Sequence, residues 1–315
     1  MAAPTNTFLT YAAIGNREDL SDVIYRIDPT DTPFMTGAER EKATAVNHEW
    51  QTQALAAVAT NNAVAEGDDA TTDQVTPTVR LGNICQISDK VARVSGTQQA
   101  VEHAGRDDEL AYQEMLKGME LKRDMEAITC GTNQAKNAPD VRLTASAISW
   151  IKTNTSKGVG GNDPVLADGT GTRTDGTQRA FTEAQLKTVL QGIWTAGGKP
   201  DTIMTGGFNK QVFSTFTGRA SPIEETKSRK IIASVDYYDS DFGKLSVTPN
   251  RFMRARDVLV LQMDMWAVAF LNGRRMVSVP LAKTGDSDRR QILSEYALVA
   301  RNEKSSGGVF DLTTS

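Results

Sequence analysis

The sequence predicts an α+β fold, and three observations predict it. Residues 107–130 form one long stretch of good helix formers. A second amphipathic segment opens at Thr182 behind the capping signature Thr182-Glu183-Ala184-Gln185. From Lys230 onward, short β-patterned runs alternate with turn residues. Helices first and strands later imply an α+β architecture of two packed lobes.

Composition narrows the class. A chain of 315 residues can hold two modest cores, or one core with long extensions. Mean hydropathy is −0.38 and hydrophobic content 39%, values of a soluble protein. No window approaches the roughly 20 apolar residues of a membrane span, so no membrane association is expected. The opening MAAPTNTF has neither the basic nor the apolar region of a signal peptide. Cys85 and Cys130 stand far apart without metal-ligand spacing, which suits a reduced, cytoplasmic setting. The balance of 35 basic against 39 acidic residues argues against tight sequence-independent nucleic-acid binding, which needs many cations on phosphates.

Taken in order, residues 1–44 carry Phe8, Leu9, Tyr11 and Ile14, then a short amphipathic helix in which Leu20, Val23, Ile24 and Ile27 share a face. Asn16 is its expected cap, and Pro29 and Pro33 end it. Such a segment cannot make a core, so its apolar groups need another surface. Residues 45–95 read as two long strands around a tip at about 59–77. Val46, His48 and Trp50 line one side of the first strand; Val79, Leu81, Cys85 and Ile87 line the second. Gly82-Asn83 suggests a bulge. The tip is small, polar and acidic, with Glu66, Asp68 and Asp69. A lone hairpin is marginal in water and needs a third strand or another body.

The long helix follows, with Asp107 as its expected N-cap and Gly131 available for a C-cap. Residues 141–154 are mixed, with Trp150 and Ile151 expected to be buried. Residues 157–179, rich in Gly, Thr and Asp, read as a flexible surface loop or a disordered flap. The helix opening at Thr182 carries an apolar stripe of Leu186, Val189, Leu190, Ile193 and Trp194, stopped by Gly197-Gly198. Residues 202–204 read as a buried strand, and Phe208, Val212, Phe213 and Phe216 as a short helix. Strands are expected at 231–238, 244–248, 258–263, 265–271, 276–279, 291–301 and 309–312.

Catalytic signatures do not emerge. His48 and His103 have no second ligand at i+4, and HExxH, CxxC and HxH do not occur. No Ser stands in a GxSxG elbow. The stretch Gly192–Pro200 resembles a phosphate loop only loosely: its Lys199 is one place late, Pro200 replaces the hydroxyl residue, and a helix precedes it. Asp236, Asp239 and Asp241 miss the calcium-loop spacing. No enzyme activity, cofactor or metal is therefore expected. The basic groups Lys227–Lys230, Arg251, Arg254, Arg256, Arg274-Arg275 and Arg289-Arg290 suit either salt-bridged faces or pairing with Glu66, Asp68 and Asp69 of a neighbouring copy.

Several runs carry a family resemblance. They are Gly15-Asn16-Arg17-Glu18-Asp19-Leu20, Pro29-Thr30-Asp31-Thr32-Pro33-Phe34, Trp50-Gln51-Thr52, Glu66-Gly67, Gly82-Asn83, Val94-Ser95-Gly96-Thr97 and Gly105-Arg106. Later come Val235-Asp236, Asp241-Phe242-Gly243, Pro249-Asn250-Arg251-Phe252, Lys283-Thr284-Gly285-Asp286, Glu295-Tyr296 and Arg301-Asn302-Glu303-Lys304. In this order they resemble a family of tailed-bacteriophage major capsid proteins.

That resemblance implies the Hong Kong 97-like capsid fold. Residues 1–44 would be an N-terminal arm and 45–98 an extended loop. Residues 99–155 would be the peripheral domain with its spine helix, 156–285 the axial domain, and 286–315 strands returning to the peripheral domain. It further implies pentamers and hexamers of an icosahedral head enclosing double-stranded DNA, assembled in the host cytoplasm. A portal and scaffolding or decoration proteins are the implied partners, with genomic DNA nearby but not read by sequence. The chain starts almost at the arm, so scaffolding would come from a separate protein or from none. Phe8, Tyr11, Val46 and Trp50, with Glu66, Asp68, Asp69, Arg251 and Arg254, are the expected subunit contacts. An encapsulin-like compartment shell, a cytoplasmic α+β enzyme and a tail or decoration component are the competing readings.

Overall fold

The computed structural model describes residues 29–69, 75–101, 108–216 and 236–315. In chain order come α1 (Pro33–Gly37), β1 (Glu39–Ala43), β2 (Asn47–Thr52), β3 (Val79–Ile84), β4 (Gln86–Ser95), α2 (Gly96–Ala100) and α3 (Glu109–Thr129). Then follow β5 (Lys136–Asn137), β6 (Arg142–Leu143), α4 (Ala147–Trp150), β7 (Thr155–Ser156), α5 (Glu183–Thr195), β8 (Thr202–Thr205) and α6 (Gly207–Phe213). The last third is strand-rich: β9 (Tyr237–Ser240), β10 (Gly243–Pro249), β11 (Val258–Leu261), β12 (Trp266–Leu271), β13 (Val277–Pro280), β14 (Ser287–Ala300) and β15 (Gly307–Val309). The α+β expectation holds.

α3 has 21 residues, about 31 Å at 1.5 Å per residue. Its N-cap is Asp108, whose carboxylate accepts from the amides of Leu110 and Ala111 at 2.9 and 3.1 Å. That is one residue beyond the expected Asp107, which lies outside the described residues, as do His103, Phe8 and Tyr11. Leu121 and Met125 face the core, and Lys90 on β4 reaches Asp124 at 2.7 Å.

Two sheets organise the rest. The first runs β1-β12-β14-β13, with β4 also paired along β14. Alternation sorts its side chains. Trp266, Val268, Phe270, Tyr296 and Leu298 enter the core shared with α3, while Ala267, Ala269, Ala297 and Val299 gather with Ala43 and Cys85 on the other face. The second sheet runs β7-β15-β11-β8-β10-β9. α5 lays Leu186, Val189, Leu190 and Ile193 on it beside Ile203, Val258 and Val260. The Thr182 amide donates to Gln185 Oε1 at 3.2 Å, as the capping signature predicts.

The first third of the chain divides in a way its sequence did not announce. β1 adds in parallel to β12, so residues 33–43, read as arm, belong to the body. Phe34 is fully buried and meets Trp266 edge-on at 6.0 Å. The second hairpin strand is not one strand. β3 pairs with β2 in continuous register, whereas β4 leaves to join β14, and the switch falls at buried Cys85 instead of at a Gly82-Asn83 bulge. Asn83 is fully buried for another reason. Its amide donates to Thr144 Oγ1 at 3.0 Å and Leu298 O at 2.6 Å, and its Oδ1 accepts from Ala145 N at 2.9 Å. A buried side-chain amide satisfied on both ends locks the hairpin root to the first lobe.

Candidate interaction surfaces

Between β2 and β3 the chain leaves the body. Residues 53–69 and 75–78 lack regular structure and are exposed, a longer excursion than the tip expected at 59–77. Within it Leu55 is 97% exposed, Val58 93%, Val64 80% and Val75 83%. These four are apolar side chains that the body does not cover, and burying each against a partner is worth about 1.5–3 kcal/mol. They were not singled out from sequence; isolated aliphatic residues inside an otherwise polar tract were the available signal. Glu66, Asp68 and Asp69 sit at the loop's turn, exposed and outside any ion pair with the described residues. The turn itself is made by Gly67 (φ +84°) and by Asp68 N donating to Ala65 O at 3.2 Å.

The other expected contact residues fare differently. Val46 is 38% exposed beside the hairpin root. Trp50 is engaged by its own chain: its ring lies 5.3 Å from Trp150, and its Nε1 donates to Ala300 O at 3.0 Å. Arg254 is likewise used internally, at 2.6 Å from Asp175 and 3.3 Å from Asp257. Arg251 is exposed and makes no ion pair with the described residues. Lys227–Lys230 lie outside them.

Arg254 belongs to a network that also alters the reading of residues 157–179. Asp311, fully buried, accepts from Gly158 N at 3.0 Å, Gly176 N at 2.8 Å, Arg173 Nη2 at 2.7 Å and Arg256 Nη2 at 3.0 Å. Arg173 extends to Asp163 at 2.6 Å, with its guanidinium 4.0 Å over the Phe310 ring. The glycine-rich segment expected to be a loose flap is therefore pinned at both ends to the C-terminal strand region. Gly158 and Gly176 leave room for this: an added Cβ would come within 2.1 Å of Thr177 O and 2.6 Å of Gly161 N, respectively.

Asp257, at the rim of the network, is fully buried with both carboxylate oxygens short of a hydrogen bond. Burial pushes its carboxyl up to about 6, against the pull of Arg254 and Arg173. In the unfolded chain an Asp titrates near 3.9, so the folded state keeps the proton longer and stability falls as pH rises across that interval. In urea unfolding, the stability of Asp257→Asn should rise more, or fall less, between about pH 4 and 6 than that of the parent, because the opposing contribution of Asp257 is gone. An unchanged slope would remove Asp257 from the account.

Among the described residues no three His, Cys, Asp or Glu side chains converge as a metal site, and no helix is long and apolar enough to cross a membrane. Cys85 and Cys130 are buried free thiols.

Comparison with known proteins adds an independent line. The family described as SU10 major capsid protein matches residues 3–313. A major capsid protein of Escherichia phage Phieco32 is 30% identical, with 98% of each chain covered. In structure, the chain resembles a protein of Gordonia phage Cozz at TM-score 0.63, with 10% identity and coverage of 99% and 98%. It resembles the cyanophage A-1(L) capsid asymmetric unit at TM-score 0.63, with 12% identity and coverage of 97% and 98%.

Proposed function

Because the chain belongs to the SU10 major capsid protein family and is the major capsid protein of a tailed phage, we propose that its loop at 53–78 lies over a neighbouring copy in the head shell. The observation that carries this is the set Leu55, Val58, Val64 and Val75, exposed together on one excursion without regular structure, whereas Val159 and Val165, also exposed, lie on a segment tied to the body. One such loop contributes modestly. A closed shell makes the contact at every subunit at once, and effective concentration multiplies the individual affinities.

The finer assignments follow from the same reading. Residues 1–32 form the arm, whose root is clamped at Phe34, with Phe8 and Tyr11 as its contact residues. α3 is the spine of a peripheral lobe built on the five-stranded sheet. The six-stranded lobe is the axial one, placed at the centre of pentamers and hexamers. Since β12 and β13 pair within the five-stranded sheet, the return to the peripheral lobe falls near residue 265 and not at 286. The acidic turn of Glu66, Asp68 and Asp69 meets basic side chains of the next copy, with Arg251 the free candidate and Arg254 already engaged. Packaged double-stranded DNA, a portal and possible scaffolding and decoration proteins are the partners of such a shell, assembled in the host cytoplasm. The family favours this over a cargo compartment and over a catalytic role.

The test uses Leu55→Asp combined with Val58→Asp. Both side chains are solvent-exposed, so stability of the single chain should change by no more than about 0.5 kcal/mol. Assembly, followed by size-exclusion chromatography and negative-stain electron microscopy, should be lost. Normal shells from the double variant would refute the loop's role.

A further inference from the structure

Among the described residues the six-stranded lobe leaves two large aromatic rings in water, Tyr237, covered on one face by Lys244, and Trp194. α5 turns Leu186, Val189, Leu190 and Ile193 onto the sheet, while Trp194, which the apolar stripe had grouped with them, stands 60% exposed on the helix flank. It stacks on Phe242 of the β9–β10 turn, with centroids 5.4 Å apart and planes at 30°. The chain's other tryptophans are used internally: Trp150 and Trp266 are fully buried, and Trp50 is packed on Trp150. An exposed, orientationally fixed indole is the residue type in which binding energy concentrates at interfaces.

The opposite flank of the same helix is indented. Gly192 has no side chain there, and Thr188, Thr195 and Ala196 are short. With Thr153, Asn154 and Lys304 as the far wall they line an open, shallow groove of about 510 Å³. That lies within the range of sites that take a small ligand, and so has room for an indole. The groove is built, not incidental. A Cβ on Gly192 would come to 3.0 Å from Asn154 Oδ1, and Asn154 is held by its amide donating to Lys304 O at 2.7 Å and Ser306 O at 3.3 Å.

Charge follows the same division. Asp239 and Asp241 are exposed beside the Trp194–Phe242 ledge. Lys304 and Lys152 are exposed beside the groove, the Lys152 ammonium donating to Val165 O and the intervening Glu303 accepting from the Thr153 hydroxyl. We propose that the Trp194–Phe242 ledge of one copy seats in the α5 groove of the next. Two different patches of one lobe then form a heterologous contact, which closes into a ring when repeated by rotation. Asp239 and Asp241 facing Lys304 and Lys152 set its direction and register. This deepens the shell reading and rests on it.

Assembled full-length Trp194→Cys/Thr188→Cys protein is treated with a short bis-maleimide and run on a denaturing gel, with each single variant as control. The double variant should give a covalent ladder ending at ring size and the single variants none, since Cys85 and Cys130 are buried. A second readout covers the case in which the double variant fails to fold. Tryptophan emission of the unmodified chain should move to the blue on assembly, as Trp194 leaves water, and should not move in Trp194→Phe. Well-formed shells without the ladder, or without the emission change where the ladder cannot be run, overturn this contact and leave the shell reading intact. An unmodified chain that never assembles sinks both.

Discussion

Replacing Glu126 by Ala is expected to cost about 3–5 kcal/mol of stability, because three buried or part-buried donors lose their acceptor at about 1–3 kcal/mol each, less what entering water recovers. Glu126 is fully buried on α3. Its Oε1 accepts from Phe34 N at 2.8 Å and from Asn250 Nδ2 at 2.6 Å, and its Oε2 accepts from Met35 N at 2.8 Å. One carboxylate thereby closes the first turn of α1, where the leading segment enters the body, and ties it to both α3 and the residue after β10. Burial pushes the Glu126 carboxyl up, while the hydrogen bonds from Met35, Phe34 and Asn250 pull it down. All of the mapped partners are donors, so the geometry calls for an acceptor at both oxygens. Glu126→Gln supplies only one and turns its NH₂ toward a backbone N–H, so an intermediate loss of about 1–3 kcal/mol is expected. The check is the urea midpoint of the three proteins. A Gln variant as stable as the parent would mean the carboxylate is not required.

Asp311→Ala should cost a similar amount, about 3–5 kcal/mol, since Arg173 and Arg256 each lose one of two carboxylate partners and the Gly158 and Gly176 amides lose their acceptor. Asp311 also sits at φ +61°, a conformation that Asp tolerates better than most side chains, so Ala adds a backbone penalty. The pH dependence has the opposite sign from that of Asp257. Burial pushes the Asp311 carboxyl up, but hydrogen bonds from Gly176, Gly158 and Arg173 outweigh it and hold the group below the usual carboxylate range. Its contribution is therefore present above the ordinary Asp range and is lost as pH falls through the lower folded value. Asp311→Ala should consequently flatten the acid limb of the stability curve, and proteolysis within residues 157–179 should accelerate because their anchor is gone. An acid limb unchanged by the substitution would contradict the assignment.

These two carboxylates also mark where sequence reading ended. Glu126 lies between Met125 and Ile128 in a stretch of good helix formers, and nothing in its spacing distinguishes it from the half-buried Glu114 and Glu120 of the same helix. Asp311 looks like any acidic residue near the end of a chain. Both matter through groups far away in sequence, Phe34 and Asn250 for one, Gly158 and Arg173 for the other. Trp50 and Arg254 illustrate the converse. Their residue types suit an interface, and each instead found a partner inside its own lobe. Trp194 looked like one more member of an apolar stripe and lies just outside it, because it follows buried Ile193 and so points about 100° further round the helix.

What could be read directly was local: the long helix and its caps to within a residue, the capping box at Thr182, most strands after residue 236, and an acidic loop between two strands. Periodicity, capping and turn chemistry act over a few residues, so they survive without knowledge of the fold. The pairing of β1 with β12, the transfer of the chain between sheets at Cys85, and the pinning of residues 157–179 belong to the tertiary structure alone. Each depends on which distant backbone or charge happens to be adjacent, and adjacency across 90 to 260 residues leaves no periodic trace in a single chain.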